Sequence, residues 1–114
     1  MKEHSLVVLT NAVPGQEEEF DRWYSERHLA DVTAVPGFVS AQRFKVVDPS
    51  AEGAPKQRYM AIYNIRTEDP EALIADLQKL VESGQMEMSP ALSMDNMAMT
   101  LYEAITPLVL KKTV

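Results

Sequence analysis

Cysteine is absent from the 114 residues. Disulfides, thiolate zinc sites and cysteine nucleophiles are therefore excluded, and nothing marks an oxidising compartment, so the cytoplasm is the expectation. Long apolar runs are missing too. Leu6, Val7, Val8 and Leu9 form a run too short for a signal-peptide core or a membrane span, and none long enough follows. Clustered positive charge is also lacking: 11 basic residues face 17 acidic ones, for a net charge of −6. No stretch can track a phosphate backbone, which excludes nucleic acid as a partner, and Lys111 and Lys112 read as a solvated tail rather than a membrane patch. There is no glycine-rich phosphate loop, and Ser40, Ser89 and Ser93 do not sit in a nucleophile elbow. With two histidines and no HxxxH or ExxH spacing, neither a metal nor a cofactor is expected.

What is present fits one small globular domain spanning residues 1–114, with 46% hydrophobic and 25% charged residues and no shift of composition along the chain. A core this small leaves self-association as a ready way to bury more apolar surface. Residues 5–13 are aliphatic and β-branched and end at Pro14 and Gly15, the pattern of a buried strand and a turn. Glu17, Glu18 and Glu19 then suit a helix first turn, and the helix runs from about residue 16 to the low thirties, where Pro36 and Gly37 stop it. Residues 38–47 and 58–65 read as a hairpin around the turn-rich connector 48–55.

Asp69, Pro70 and Glu71 open a second helix, with a capping acceptor, a proline at its first position and an acid behind it. Leu73, Ile74, Leu77, Leu80 and Val81 give it an apolar stripe, and Gly84 closes it. A methionine-rich loop over 85–96 leads to a last strand over about 97–105. The order β-α-β-β-α-β predicts an α+β, ferredoxin-like four-stranded antiparallel sheet with both helices on one face. Leu6 to Leu9 and Tyr59 to Tyr63 are apolar at consecutive positions, so both sheet faces are expected to be buried, most simply in a homodimer joined through its sheet faces.

The first helix carries the candidate chemistry. With Phe20 at zero and about 100° per residue, Trp23 falls near −60°, Tyr24 near 40°, His28 near 80° and Val32 near 120°. Asp31 falls near 20°, so Tyr24, His28 and Asp31 share an inward face with Trp23. His28 suits acid-base work because imidazole titrates near neutrality, Asp31 could orient or tune it, and Tyr24 and Trp23 could wall a pocket. Equally, a histidine near a helix C-terminus is favoured by the helix dipole and needs no substrate. His4 could reach the same cavity. Asn11, Arg43, Tyr59 and Tyr63 could add polar groups, with Tyr59 and Tyr63 on one strand face and so sharing either pocket or interface. Met86, Met88, Met94, Met97 and Met99 could line an adaptable pocket, although core filling or dimer contact is the more ordinary use.

Several segments together resemble the EthD-like branch of the dimeric α+β barrel superfamily. They are Val13, Pro14 and Gly15; Phe20 to Tyr24; His28 and Leu29; Val35 to Phe38 with Arg43 and Phe44; Ser89 to Leu92; and Leu101 to Glu103. The resemblance implies a homodimer with a cavity in each subunit between sheet and helices, and it places Trp23, Tyr24 and His28 in the family's aromatic-histidine segment. Related barrels include acid-base enzymes, haem-degrading monooxygenases and proteins without known activity. Haem is disfavoured here because His28 is expected to have polar helix neighbours. The expected function is cofactor-independent acid-base catalysis, as an isomerase, cyclase or lyase acting on a small aromatic or oxygenated apolar molecule. The alternative is a noncatalytic binding or accessory protein of the same fold.

Overall fold

The computed structural model describes residues 2–113. The elements are β1 (Lys2–Ala12), α1 (Glu17–Trp23), a π turn (Tyr24–His28), α2 (Leu29–Thr33), β2 (Phe38–Lys45), β3 (Tyr59–Thr67), α3 (Pro70–Glu82) and β4 (Leu92–Glu103). The π turn joins α1 and α2 end to end, so the predicted β-α-β-β-α-β order holds. All strand pairs are antiparallel and the spatial order is β2-β3-β1-β4. This is the ferredoxin-like arrangement.

Alternation along the central strands sets the two faces. Leu6, Val8, Thr10 and Ala12 of β1 and Tyr59, Ala61, Tyr63 and Ile65 of β3 are all buried and pack with Phe20, Trp23, Val32, Leu73 and Leu77 from the helices. The opposite face is built from cross-strand rows, Phe44-Met60-Leu9-Ala98 and Gln42-Ile62-Val7-Thr100. Its aliphatic residues are only half-buried and Phe44 is exposed. Within one chain the second face is therefore apolar and uncovered, and it is the face through which the sequence expects a second copy to pack.

The capping chemistry of α3 is as its sequence requires: the Asp69 carboxylate accepts from the Ala72 backbone N–H at 3.0 Å, with Pro70 at the first turn. Gly37 allows α3 to sit close to the start of β2. Its φ is +110°, and a Cβ there would come within 2.8 Å of Leu73 Cδ2. β4 begins at Leu92 rather than near 97, because β1 continues to pair with it beyond a bulge, Asn11 with Ser93 and Ala12 with Leu92. Asn96 takes a positive φ of 60° inside this strand. The polar run Ser93, Asp95, Asn96 hid the strand from a hydrophobic pattern.

Candidate functional site

The first helix departs from ideal geometry at the residues that carry the candidate chemistry. The Leu29 backbone N–H donates to the Tyr24 carbonyl, five residues back, which closes the π turn. One inserted residue sets all later positions back by about 100°. Val32 moves from about 120° to about 20° and becomes fully buried, while Asp31 moves from about 20° to about −80°. Phe20, Tyr24, His28 and Val32, spaced four apart, thus form one straight buried stripe. The expectation that Asp31 points inward beside His28 is corrected: its carboxylate pairs with Arg27 Nε at 3.6 Å on the helix surface.

His28 is 7% exposed and enclosed by rings. It stacks on Trp23 with centroids 4.6 Å apart and meets the Tyr24 ring edge-on at 5.0 Å. Aromatic rings thus pack against two sides of the imidazole, while the polar helix neighbour Asp31 acts on it through its charge. Nδ1 is buried without a hydrogen-bond partner among the described residues. Burial lowers its pKa to about 4, against the opposing field of the Asp31 carboxylate. Burial thus keeps the imidazole uncharged at neutral pH.

Beside it lies a cavity of about 600 Å³ between the sheet and the helices. Its floor is Leu6, Val8 and Thr10 of β1; one wall is Trp23, Tyr24, His28 and Val32. Leu77 and Val81 of α3 and Met88, Met94, Met97 and Met99 close the rest. Four of the clustered methionines line the cavity, whereas Met86 is buried core. Thr10 was missed by the sequence reading; its signal was the alternation Leu6, Val8, Thr10, which puts a hydroxyl on an apolar strand face.

Two tyrosines supply the cavity's hydroxyl pair. The Tyr63 hydroxyl donates to the Tyr24 hydroxyl at 3.0 Å, both residues being buried. Burial pushes the Tyr24 pKa up, opposed by the Tyr63 hydrogen bond and the Arg43 charge. Burial, with Tyr24 nearby, pushes Tyr63 far above the usual range. Both are therefore protonated donors at any ordinary pH. Arg43 stands behind them. Its guanidinium lies 4.8 Å from the Tyr24 ring centroid, 5.2 Å from Phe20 and 5.4 Å from Tyr59, and it donates to Ser25 Oγ at 2.8 Å and Asp21 Oδ1 at 2.9 Å. It braces Tyr24 without lining the cavity.

The remaining candidates lie elsewhere. Tyr59 shares the helix-side face with Tyr63 but packs on Phe20 at 5.0 Å, and it borders a separate cleft with Asn11 and Arg58. Asn11 fastens the β2-β3 connection: its Nδ2 donates to the Lys56 carbonyl and its Oδ1 accepts from the Arg58 N–H. His4 is buried on the helix side, with Nε2 3.5 Å from Glu103 Oε1, away from the cavity.

No protein-family model and no curated protein matches the chain by sequence. Solved structures do match in fold. An EthD-like protein from Ralstonia eutropha aligns at TM-score 0.61 and 15% identity, covering 93% of this chain and 95% of the other. The heme-degrader MhuD from Mycobacterium tuberculosis, bound to two hemes in its active site, aligns at 0.63 and 13%, covering 93% and 99%. A provisionally assigned monooxygenase from Shewanella loihica aligns at 0.58 and 19%, covering 93% and 97%. The chain thus shares the ferredoxin-like fold of EthD-like proteins and dimeric α+β barrels, and at these identities the likeness is one of fold alone.

Proposed function

We propose that the His28 cavity binds a small, uncharged aromatic or oxygenated apolar molecule, and that the chain performs cofactor-independent acid-base chemistry on it as an isomerase, cyclase or lyase. The observation that carries this reading is an uncharged imidazole, stacked on Trp23 and edge-on to Tyr24, with a buried Nδ1 that has no partner among the described residues, lining a cavity walled largely by apolar side chains. A histidine serving only to hold the helix would have its nitrogens bonded to protein. Here His28 takes a proton from a C–H or O–H of the ligand. The electron pair released onto a carbonyl oxygen is met by the Tyr24 hydroxyl, which accepts from Tyr63 and so has its own proton free to donate. Return of the proton from His28 to a different atom completes an isomerisation. Asp31 acts through space, since its charge raises the basicity of His28. Two copies joined through the uncovered sheet faces are the proposed assembly, and the cytoplasm the proposed compartment.

Haem, suggested by the MhuD likeness, fits this donor set poorly. Neutral His28 is a competent nitrogen donor, yet among the described residues the cavity lining holds no lysine or arginine to meet two propionates and does hold Glu82. Binding without turnover is favoured by one feature: the Asp31 carboxylate, whose charge acts on His28, is engaged by Arg27 and has no hydrogen bond to the imidazole among the described residues.

The test is catalysed hydrogen exchange. Benzoylacetone, an uncharged enolisable aryl diketone, is incubated with the protein in D2O and its α-deuteration followed by NMR. The reading expects acceleration over buffer that falls by about 10²- to 10⁴-fold in His28→Ala, the usual share of a general base. Binding of the diketone with equal exchange in both proteins would leave His28 a binding residue only.

A further inference from the structure

Thr10 carries a buried hydroxyl to which the proposed chemistry gives no part. It is 2% exposed and lines the cavity floor, between Val8 and Ala12 on a strand face that is aliphatic from Leu6 onward. Valine would serve a strand there equally well, since both residues are β-branched and of nearly equal size. The hydroxyl makes no hydrogen bond to protein among the described residues, and it is not one of the sealed, unpartnered atoms, which are His4 Nδ1 and His28 Nδ1. The space it borders is therefore the cavity. A polar group left unmatched in apolar surroundings costs free energy until something meets it.

The strand ladder fixes where Thr10 stands. It pairs with Tyr59, whereas Leu6 pairs with Tyr63, four residues or about 13 Å away along β1. The first helix keeps the same order: Phe20 packs on Tyr59 at 5.0 Å, while the Tyr24 hydroxyl bonds Tyr63 and its ring meets His28. His28 and the hydroxyl pair thus hold one end of the cavity and Thr10 the other. Val8 lies between them on the floor, with Met99 beside it on β4.

We infer that the ligand of this cavity carries two oxygen functions at opposite ends of an apolar body: a carbonyl at His28 and Tyr24, and a hydroxyl or second carbonyl at Thr10. The inference rests on the ligand reading proposed above and narrows it. With a hydrogen bond of about 2.8 Å at each end, roughly 7–8 Å remains between the two oxygens, the reach of one aromatic ring with a short side chain. The Thr10 hydroxyl is both donor and acceptor, so it meets either function. A carboxylate is the poorer occupant of that end, because among the described residues the cavity lining holds no lysine or arginine to pair with it.

The test is a matched pair of ligands, para-hydroxybenzoylacetone and para-methylbenzoylacetone, alike in shape and differing in the hydroxyl. Their binding to the full chain and to Thr10→Val is measured by titration calorimetry at pH 6.5. The wild type is expected to bind the hydroxy compound at least about 5-fold more tightly, and Thr10→Val to reverse the preference in favour of the methyl compound. Wild-type affinities within twofold of each other overturn the inference with no variant needed. So does a hydroxyl preference that survives in Thr10→Val. Failure of both compounds to bind the wild type overturns the inference together with the ligand reading it rests on. The expected preference, found with α-deuteration unaffected by His28→Ala, upholds the inference and removes the catalytic reading alone.

Discussion

Acidification singles out His28. An unfolded histidine binds its proton below about 6.5, whereas buried His28 resists protonation down to about 4. Between those values the unfolded chain holds more protons, so stability is fully present above pH 6.5 and is lost as pH falls towards 4. The gap of about 2.5 pH units, at about 1.4 kcal/mol each, amounts to about 3 kcal/mol, most of it gone by pH 4.5. Carboxylates titrate in the same range, so the informative quantity is the difference between the wild-type chain and His28→Asn, a neutral replacement. Urea unfolding followed by the fluorescence of Trp23, the single tryptophan, at pH 7.5, 6.5, 5.5 and 4.5 and fixed protein concentration measures it. The wild type is expected to lose stability faster by about 1 kcal/mol per pH unit between pH 6 and 4.5. Parallel pH profiles, or an NMR titration placing His28 near 6.5, would refute the claim that burial holds the imidazole neutral.

Three further outcomes follow from the packing. Gly37→Ala puts a Cβ at 2.8 Å from Leu73 and strains a φ of +110°, so thermal unfolding should show a loss of about 1–3 kcal/mol. Tyr63→Phe removes the buried hydroxyl bond to Tyr24 and should cost about 0.5–1.5 kcal/mol in urea, with slower benzoylacetone exchange. Asp31→Asn breaks only a surface pair with Arg27; stability should change by less than about 0.5 kcal/mol, while the His28 titration moves lower because the opposing charge is gone.

The fold was legible because each element carries its own signal: acids at the start of α1, the Asp69 and Pro70 opening of α3, Pro36 and Gly37 as a stop. β4 was half hidden because pairing with β1, not composition, holds Ser93 to Asn96 in the strand. For the site, the stripe of Trp23, Tyr24 and His28 followed from helical spacing, but projection on an ideal helix misplaced Asp31. A single extra residue in the π turn rotates everything after it, and no residue type announces it. The cavity itself depends on how far α3 and the methionines of β4 stand from α1, a tertiary distance with no local sequence signal. Asn11 and Tyr59 shared the right strands with the site yet face a different cleft.

The central claim, that a ligand binds against His28, is tested most directly at the imidazole itself. The chain has two histidines, so the Cε1–Hε1 resonances of a ¹³C-labelled sample resolve His28 from His4 once a His4→Gln spectrum assigns them. Titration with benzoylacetone at pH 7 is predicted to shift the His28 resonance saturably, together with the Trp23 indole N–H, while His4 stays in place. A saturable shift confined to His4, or none at either histidine up to the solubility of the ligand, would contradict the account.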